Sequence, residues 1–257
     1  MTPIRALFFD VDGTIVDTEK DGHRVAFNAA FKEFGFDFSW DVATYHELLQ
    51  TAGGKERMRQ YFNRAGLSQG PDLDQLIERM HKRKTEIFIG LIENGKLPLR
   101  AGVKRLMTEA LEGGLRLGIC TTANERAVTA IIRAMLPDIP FEVILAGDVI
   151  RRKKPDPEIY LLALEKTGLH PDACVAIEDS ANGVRAAKSA GMFVVATTNI
   201  YTEQEDLSAA DIIVTSLGDP GGEKGFLKKP KGQFEFEGCL HLEALTTHFS
   251  KQTPLVP

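Results

Sequence analysis

The stretch Phe8-Phe9-Asp10-Val11-Asp12-Gly13-Thr14 places two carboxylates directly after an apolar run that begins at Ile4. Such a run is typical of a strand covered on both faces, and Gly13 allows a sharp turn after it. Acidic side chains at the end of a buried strand are costly unless a cation neutralises them. Magnesium suits this role, because it binds one or two carboxylates together with a substrate phosphate. The stretch by itself has a simpler interpretation, an Asp-Gly turn after a strand.

The composition is that of a globular protein. The chain has 257 residues, a length sufficient for one large core or two modest domains. Of these residues 43% are hydrophobic and 26% are charged, and the net charge is −5. No basic cluster suggests nucleic-acid binding, and no stretch approaches the ~20 apolar residues of a membrane span. Cys120, Cys174 and Cys239 lack metal-ligand spacing. Because a strand begins within four residues, we expect no signal peptide; we expect a cytoplasmic protein and a monomer.

Two sequence patterns divide the chain. Apolar residues at helical spacing fill residues 17–93, whereas helices and strands alternate from about residue 99 to residue 216. Alternation of this kind predicts an α/β fold, a Rossmann-like parallel sheet with helices on both faces. The first strand belongs to that sheet, so we predict a discontinuous core of residues 1–16 and 94–257 with an inserted all-helical domain at 17–93. Within residues 219–237, which look like an insertion, we predict a loop at Lys228–Lys231 and a hairpin strand at Gln233–Glu237.

Polar residues follow four of the predicted strands. The first strand is followed by Asp10 and Asp12, and the second by Thr121, Thr122 and Asn124. The third is followed by Lys154, and the fourth by Glu178 and Asp179. Ligands of open parallel sheets bind at the carboxyl ends of the strands, so we expect these residues to gather at one edge. Carboxylates can hold magnesium, while a lysine and a hydroxyl bind phosphate oxygens. The set predicts phosphoryl transfer, in which one carboxylate attacks phosphorus and forms an aspartyl-phosphate.

Each of these residues also has a purely structural interpretation. Thr121 could cap the following helix, and Lys154 could be a solvated loop lysine. Glu178 and Asp179 could favour the next helix through its dipole. The four segments nevertheless arrive in order at the same ends of the predicted strands, which favours a shared site.

The four motifs together resemble those of the haloacid dehalogenase superfamily of phosphatases, in the subgroup with a helical cap inserted after the first strand. The resemblance implies that Asp10 is the nucleophile and a metal ligand. It implies that Asp12 is the general acid and base, with its main-chain carbonyl on the metal. Thr121 and Lys154 would bind the transferring phosphoryl group, and Glu178 and Asp179 would complete the Mg²⁺ site.

The segment Glu47–Arg57 resembles the cap loop of the CbbY-type phosphatases, which act on xylulose 1,5-bisphosphate. Gly53 and Gly54 would allow close backbone approach, and Lys55 and Arg57 would offer two cations to a second phosphate. The alternative is a solvated first helical turn. Three further residues are assigned to substrate binding, namely Asp17, Thr122 and Asn124. Asp17 stands where that group is expected to have glutamate, so its reach is one methylene shorter.

The resemblance implies a small phosphorylated sugar as the partner, with no nucleic acid and no membrane. Three alternatives stay open. A β-phosphoglucomutase-like mutase shares all four motifs, and a phosphoglycolate phosphatase would act on a smaller monophosphate. A catalytically silent phosphosugar-binding protein would need neither Asp10 nor Asp12, and both are intact.

Overall fold

The computed structural model describes residues 3–49, 51, 53–67, 73–147, 149–230, 232 and 234–251. The chain divides into two compact units. One, called the helical unit below, comprises residues 18–97, and the other, called the sheet unit, comprises residues 1–17 and 98–257. Among the described residues, no helix combines the length and the apolar character needed to cross a bilayer.

The helical unit starts with a π-helical segment, Thr18–His23, that leads directly into the first α-helix. Its α-helices are α1 (Arg24–Glu33), α2 (Val42–Leu49), α3 (Gly54–Arg64) and α4 (Leu73–Glu93). Aromatic rings fill the space between these helices, with neighbouring centroids mostly about 5 to 6 Å apart. They belong to Phe27, Phe31, Phe36, Phe38, Trp40, Tyr45, Tyr61 and Phe62. Rings of this size bury a large apolar area, so they give the unit its own core.

In the part of the chain that the structure describes, the sheet unit is built on a seven-stranded sheet with the order β3-β2-β1-β4-β5-β6-β7. Its strands are β1 (Ala6–Phe9), β2 (Arg116–Cys120), β3 (Val143–Leu145), β4 (Cys174–Glu178), β5 (Phe193–Thr197), β6 (Ile212–Val214) and β7 (Leu227–Lys229). All neighbouring strands pair in parallel except β6 and β7. The order places β1 between β2 and β4, so the carboxyl ends of these three strands are neighbours.

The helices of the sheet unit are α5 (Val103–Glu112), α6 (Glu125–Met135), α7 (Glu158–Thr167), α8 (Ala181–Ser189) and α9 (Leu242–Lys251). A 3₁₀ turn at Pro171–Ala173 precedes β4. Strands alternate with helices through most of this unit, which confirms the predicted α/β class. The cysteines Cys120, Cys174 and Cys239 are buried and form no disulfide.

The predicted loop and hairpin strand near the C-terminus were wrong. The antiparallel strand is β7, which takes in Lys228 and Lys229, whereas residues 234–236 have no regular structure and residues 231 and 233 lie outside the described residues. Lysines suit an edge strand because charged side chains discourage further pairing. The Lys229 ammonium also donates hydrogen bonds to the carbonyls of Ser208 and Ala210.

Candidate active site

Three buried carboxylates meet at the carboxyl ends of β1 and β4. The amide of Asp10 donates to the carbonyl of Ile177 at 3.0 Å, which continues the pairing of the two strands by one residue. Glu178 is the last residue of β4, and Asp179 follows it. Asp10, Glu178 and Asp179 each offer a carboxylate oxygen, and these oxygens lie within 4.8 Å of one another. The geometry therefore brings together the acids that the sequence assigned to different strands.

Lys154 is the cation of this cluster. Its ammonium donates to Asp10 Oδ1 and Glu178 Oε1, each at 2.6 Å, and to the carbonyl of Cys120 at 2.9 Å. The side chain is only 7% exposed, so the interpretation of Lys154 as a solvated loop lysine was wrong. One ammonium thus joins the ends of β1, β2 and β4.

The cluster carries more negative charge than Lys154 can balance. Burial raises the pKa of Glu178 to about 7; the Asp10 charge adds to this effect and Lys154 opposes it. Burial, with the charges of Asp10 and Glu178, also raises the pKa of Asp179 well above its usual value. Burial acts to lower the pKa of Lys154, but the two carboxylates outweigh burial and raise it. A further cation would therefore stabilise the ionised cluster.

The donor atoms of the cluster indicate which cation fits. All three side chains offer oxygen, the donor that Mg²⁺ and Ca²⁺ prefer, and the cluster contains neither histidine nor cysteine. The excess of carboxylates favours a divalent ion. The three residues can therefore hold a metal ion. The side chain of Asp12 is not part of this cluster; the resemblance assigns its main-chain carbonyl to the metal instead.

The turn after β1 packs against Asp179. The amides of Thr14, Ile15 and Val16 all donate to the carbonyl of Val11, which folds the chain back tightly. Gly13 has φ of +78°, and a Cβ atom at this position would lie 2.8 Å from Asp179 Cγ and 2.6 Å from Asn199 Nδ2. Glycine is therefore required here both for the backbone conformation and for the space.

Two residues that the sequence analysis did not single out secure this turn. Asn199, which lies beyond the end of β5, donates from Nδ2 to Asp179 Oδ2 at 2.7 Å and to the Gly13 carbonyl at 3.4 Å. Arg100 donates to the carbonyls of Gly13 and Thr198. The strand-end rule could have found Asn199, since β5 neighbours β4, but no pattern in the sequence marks Arg100.

Tyr160 is a third such residue. It lies in the first turn of α7, is fully buried, and its hydroxyl donates to Glu178 Oε1. The Lys154 ammonium lies 5.4 Å from the centre of its ring. In the sequence Tyr160 is one apolar position of a helix, so nothing there distinguished it from a core residue.

The residues after β2 differ in their surroundings. Thr121 is buried and its hydroxyl accepts a hydrogen bond from the amide of Ala123, whereas the cap of α6 is Asn124, whose side chain accepts from the amide of Arg126. The interpretation of Thr121 as the helix cap was therefore wrong. Thr122 is half-buried and Asn124 is exposed. Asp17, half-buried in the turn region, places its charge near Arg100.

The cap-loop residues lie in the helical unit, where positions 50 and 52 fall outside the described residues. Gly53 has φ of +90° and precedes α3, and Gly54 packs against His81. Lys55 forms an exposed ion pair with Glu78. Arg57 is 8% exposed; it donates to the hydroxyl of Tyr45 at 2.9 Å and to the carbonyl of Leu48 at 3.2 Å. The alternative of a solvated first turn is therefore wrong for Arg57.

Comparison with known proteins agrees with this geometry. Residues 4–191 match the family described as haloacid dehalogenase-like hydrolase. A CBBY-like protein of Arabidopsis thaliana is 48% identical over 226 residues, which cover 85% of this chain and 71% of that protein. The CbbY protein of Rhodobacter capsulatus is 46% identical over 218 residues, covering 83% of this chain and 94% of that protein.

A solved structure is similar over much of the chain. It is the structure of a CbbY mutant from Rhodobacter sphaeroides in complex with xylulose-(1,5)bisphosphate. The two sequences are 40% identical, the TM-score is 0.69, and the match covers 85% of this chain and 97% of that one. The chain belongs to the haloacid dehalogenase-like hydrolase family. Within that family it is a phosphatase, as its motifs and its CbbY relatives agree.

Proposed function

We propose that this protein is a Mg²⁺-dependent phosphatase that hydrolyses a sugar bisphosphate, with xylulose 1,5-bisphosphate as the preferred substrate. The observation that carries the proposal is the cluster of Asp10, Glu178 and Asp179, in which Lys154 bridges Asp10 and Glu178. A metal-binding set of acids beside a buried lysine is suited to holding a phosphoryl group against a carboxylate nucleophile.

The proposed reaction has two steps at Asp10. The Asp10 carboxylate attacks phosphorus to form an aspartyl-phosphate, while Asp12 donates a proton to the leaving sugar oxygen. Asp12 then removes a proton from the water that hydrolyses the aspartyl-phosphate. Lys154 and the hydroxyl of Thr121 bind phosphoryl oxygens in both steps. Bound Mg²⁺, held by Asp10, Glu178 and Asp179, supplies positive charge that offsets the charge of the phosphoryl group.

The preference for a bisphosphate is supported by the relatives. The similar CbbY structure contains xylulose-(1,5)bisphosphate. The assignment of Gly53, Gly54, Lys55 and Arg57 to a second phosphate stays a prediction, and so do the substrate roles of Asp17, Thr122 and Asn124. Because Arg57 already bonds Tyr45 and Leu48 within the helical unit, we regard Lys55, with its exposed partner Glu78, as the more available cation.

The experiment is a measurement of phosphate release with Mg²⁺ across a panel of sugar mono- and bisphosphates. We expect the highest kcat/KM for xylulose 1,5-bisphosphate and its loss in Asp10→Asn, which keeps the size of the side chain but removes the nucleophile. Broad, weak activity would contradict the substrate but not the reaction. Conversion of a hexose phosphate into its isomer without phosphate release would identify a mutase, and preference for phosphoglycolate would identify the smaller substrate.

A further inference from the structure

The hydrogen bonds of Lys154 pose a problem for phosphoryl binding. An ammonium group has three hydrogens, and Lys154 donates to three acceptors, Asp10 Oδ1, Glu178 Oε1 and the Cys120 carbonyl. To bind a phosphoryl oxygen, as the proposed function requires, Lys154 must release one of them. Release of Glu178 would remove a charged donor from a carboxylate that is 0% exposed. Such a loss is costly unless another donor remains.

The hydroxyl of Tyr160 is that second donor. It bonds the same oxygen, Glu178 Oε1, that Lys154 bonds. Tyr160 is itself 0% exposed, and α7 fixes its ring 5.4 Å from the Lys154 ammonium. Glu178 Oε1 would therefore keep one hydrogen bond after Lys154 turned away.

We propose that Tyr160 is a positioning residue of the phosphatase: its hydroxyl holds Glu178 in place while Lys154 exchanges that carboxylate for a phosphoryl oxygen. The proposal rests on the proposed function of the site. Tyr160 touches neither the substrate nor the reacting atoms; it acts through Glu178. A purely structural role would be to satisfy two buried polar groups, with no effect on how Lys154 binds phosphate.

The variant Tyr160→Phe isolates the hydroxyl, because the ring and its packing remain. We expect the Mg²⁺-loaded variant to bind inorganic phosphate about 10- to 100-fold more weakly by calorimetry, the equivalent of one hydrogen bond to a charged group. The kcat/KM for a sugar bisphosphate should fall by a similar factor. Tyr61→Phe is the matched control, since its ring packs on Phe38 and Trp40 in the helical unit, and it should leave both quantities unchanged.

The proposal would be overturned if Tyr160→Phe lowered the melting temperature but left phosphate affinity and kcat/KM equal to those of the control. Crystal structures of the wild type with and without phosphate provide a second test that requires no variant. With phosphate bound, the Tyr160–Glu178 hydrogen bond should persist while Lys154 Nζ moves away from Glu178. Lys154 still bonded to Glu178 in the phosphate complex would contradict the proposal. Failure of the wild type to hydrolyse any sugar phosphate would instead refute the proposed function, and the phosphate complex would still decide the role of Tyr160.

Discussion

Substitution of Gly13 by alanine should damage the metal site and leave the protein folded. A Cβ atom would lie 2.8 Å from Asp179 Cγ and 2.6 Å from Asn199 Nδ2, whereas ordinary contacts begin at 3.4 Å. The Asp179 carboxylate must therefore retreat by at least about 0.6 Å, because its Oδ2 atom lies still nearer to the added Cβ than Cγ does. This exceeds the ~0.2 Å by which metal–ligand distances ordinarily vary. The left-handed φ of +78° adds a backbone cost of about 1–2 kcal/mol. We expect a folded enzyme with a damaged metal site.

The assay is a Mg²⁺ titration, followed both by calorimetry and by phosphate release. Gly13→Ala should require about 10- to 100-fold more Mg²⁺, the range seen when the support of a metal ligand is lost. Gly168→Ala is the matched control, because Gly168 ends α7 with φ of +63° and a Cβ there would meet no atom of the described residues within 4 Å. In denaturant unfolding Gly168→Ala should lose only the stability that its left-handed backbone costs, whereas Gly13→Ala should lose more because of its added close contacts. Only Gly13→Ala should lose metal affinity. Equal Mg²⁺ affinities in the two variants would refute the assignment of Asp179 to the metal site.

Three further predictions concern residues with distinct partners. Lys154→Met should lower kcat by about 10²- to 10³-fold, the usual effect of removing one donor that stabilises charge in a transition state. Measurement of phosphate release over time checks this, and an unchanged rate would contradict it. Asn199→Ala should weaken Mg²⁺ binding about 10-fold or more through Asp179, and unchanged calorimetric affinity would contradict this. Burial, together with the charges of Lys84, Arg57 and His81, lowers the pKa of His23 well below 6.5. As the pH falls below about 6.5, the unfolded state therefore binds a proton at this histidine and the folded state does not. As the pH falls, the free energy of unfolding should therefore decrease by up to about 1.4 kcal/mol per pH unit more steeply in the wild type than in His23→Gln. Identical slopes would be evidence against a neutral, half-buried His23.

The acids of the site could be predicted because they follow a simple rule of topology. Asp10 and Glu178 come at the ends of apolar runs, and parallel strands bring their carboxyl ends to one edge of a sheet. The sequence therefore placed the two acids in the same site although 168 positions separate them in the numbering. Lys154 was accessible to the same reasoning, because it follows the end of a predicted strand.

The supporting residues were not predictable in this way, because their roles depend on packing between distant segments. Tyr160 meets Glu178 only because α7, which packs on β2 and β3, brings the Tyr160 hydroxyl to the end of β4. Helical periodicity marks Tyr160 merely as buried. Arg100 reaches the Gly13 carbonyl across 87 positions. Arg57 was expected as a cation of the cap loop, but its contacts with Tyr45 and Leu48 bury it.

The most direct test of the central claim is to detect a phosphoryl group on Asp10 during turnover. Rapid acid quenching of the Mg²⁺-loaded enzyme with xylulose 1,5-bisphosphate, followed by peptide mass spectrometry, would locate it. The account predicts a phosphorylated Asp10 that forms at least as fast as phosphate is released and that is absent from Asp10→Asn. Phosphate release by Asp10→Asn at the wild-type rate, or a phosphoryl group on another residue, would contradict it.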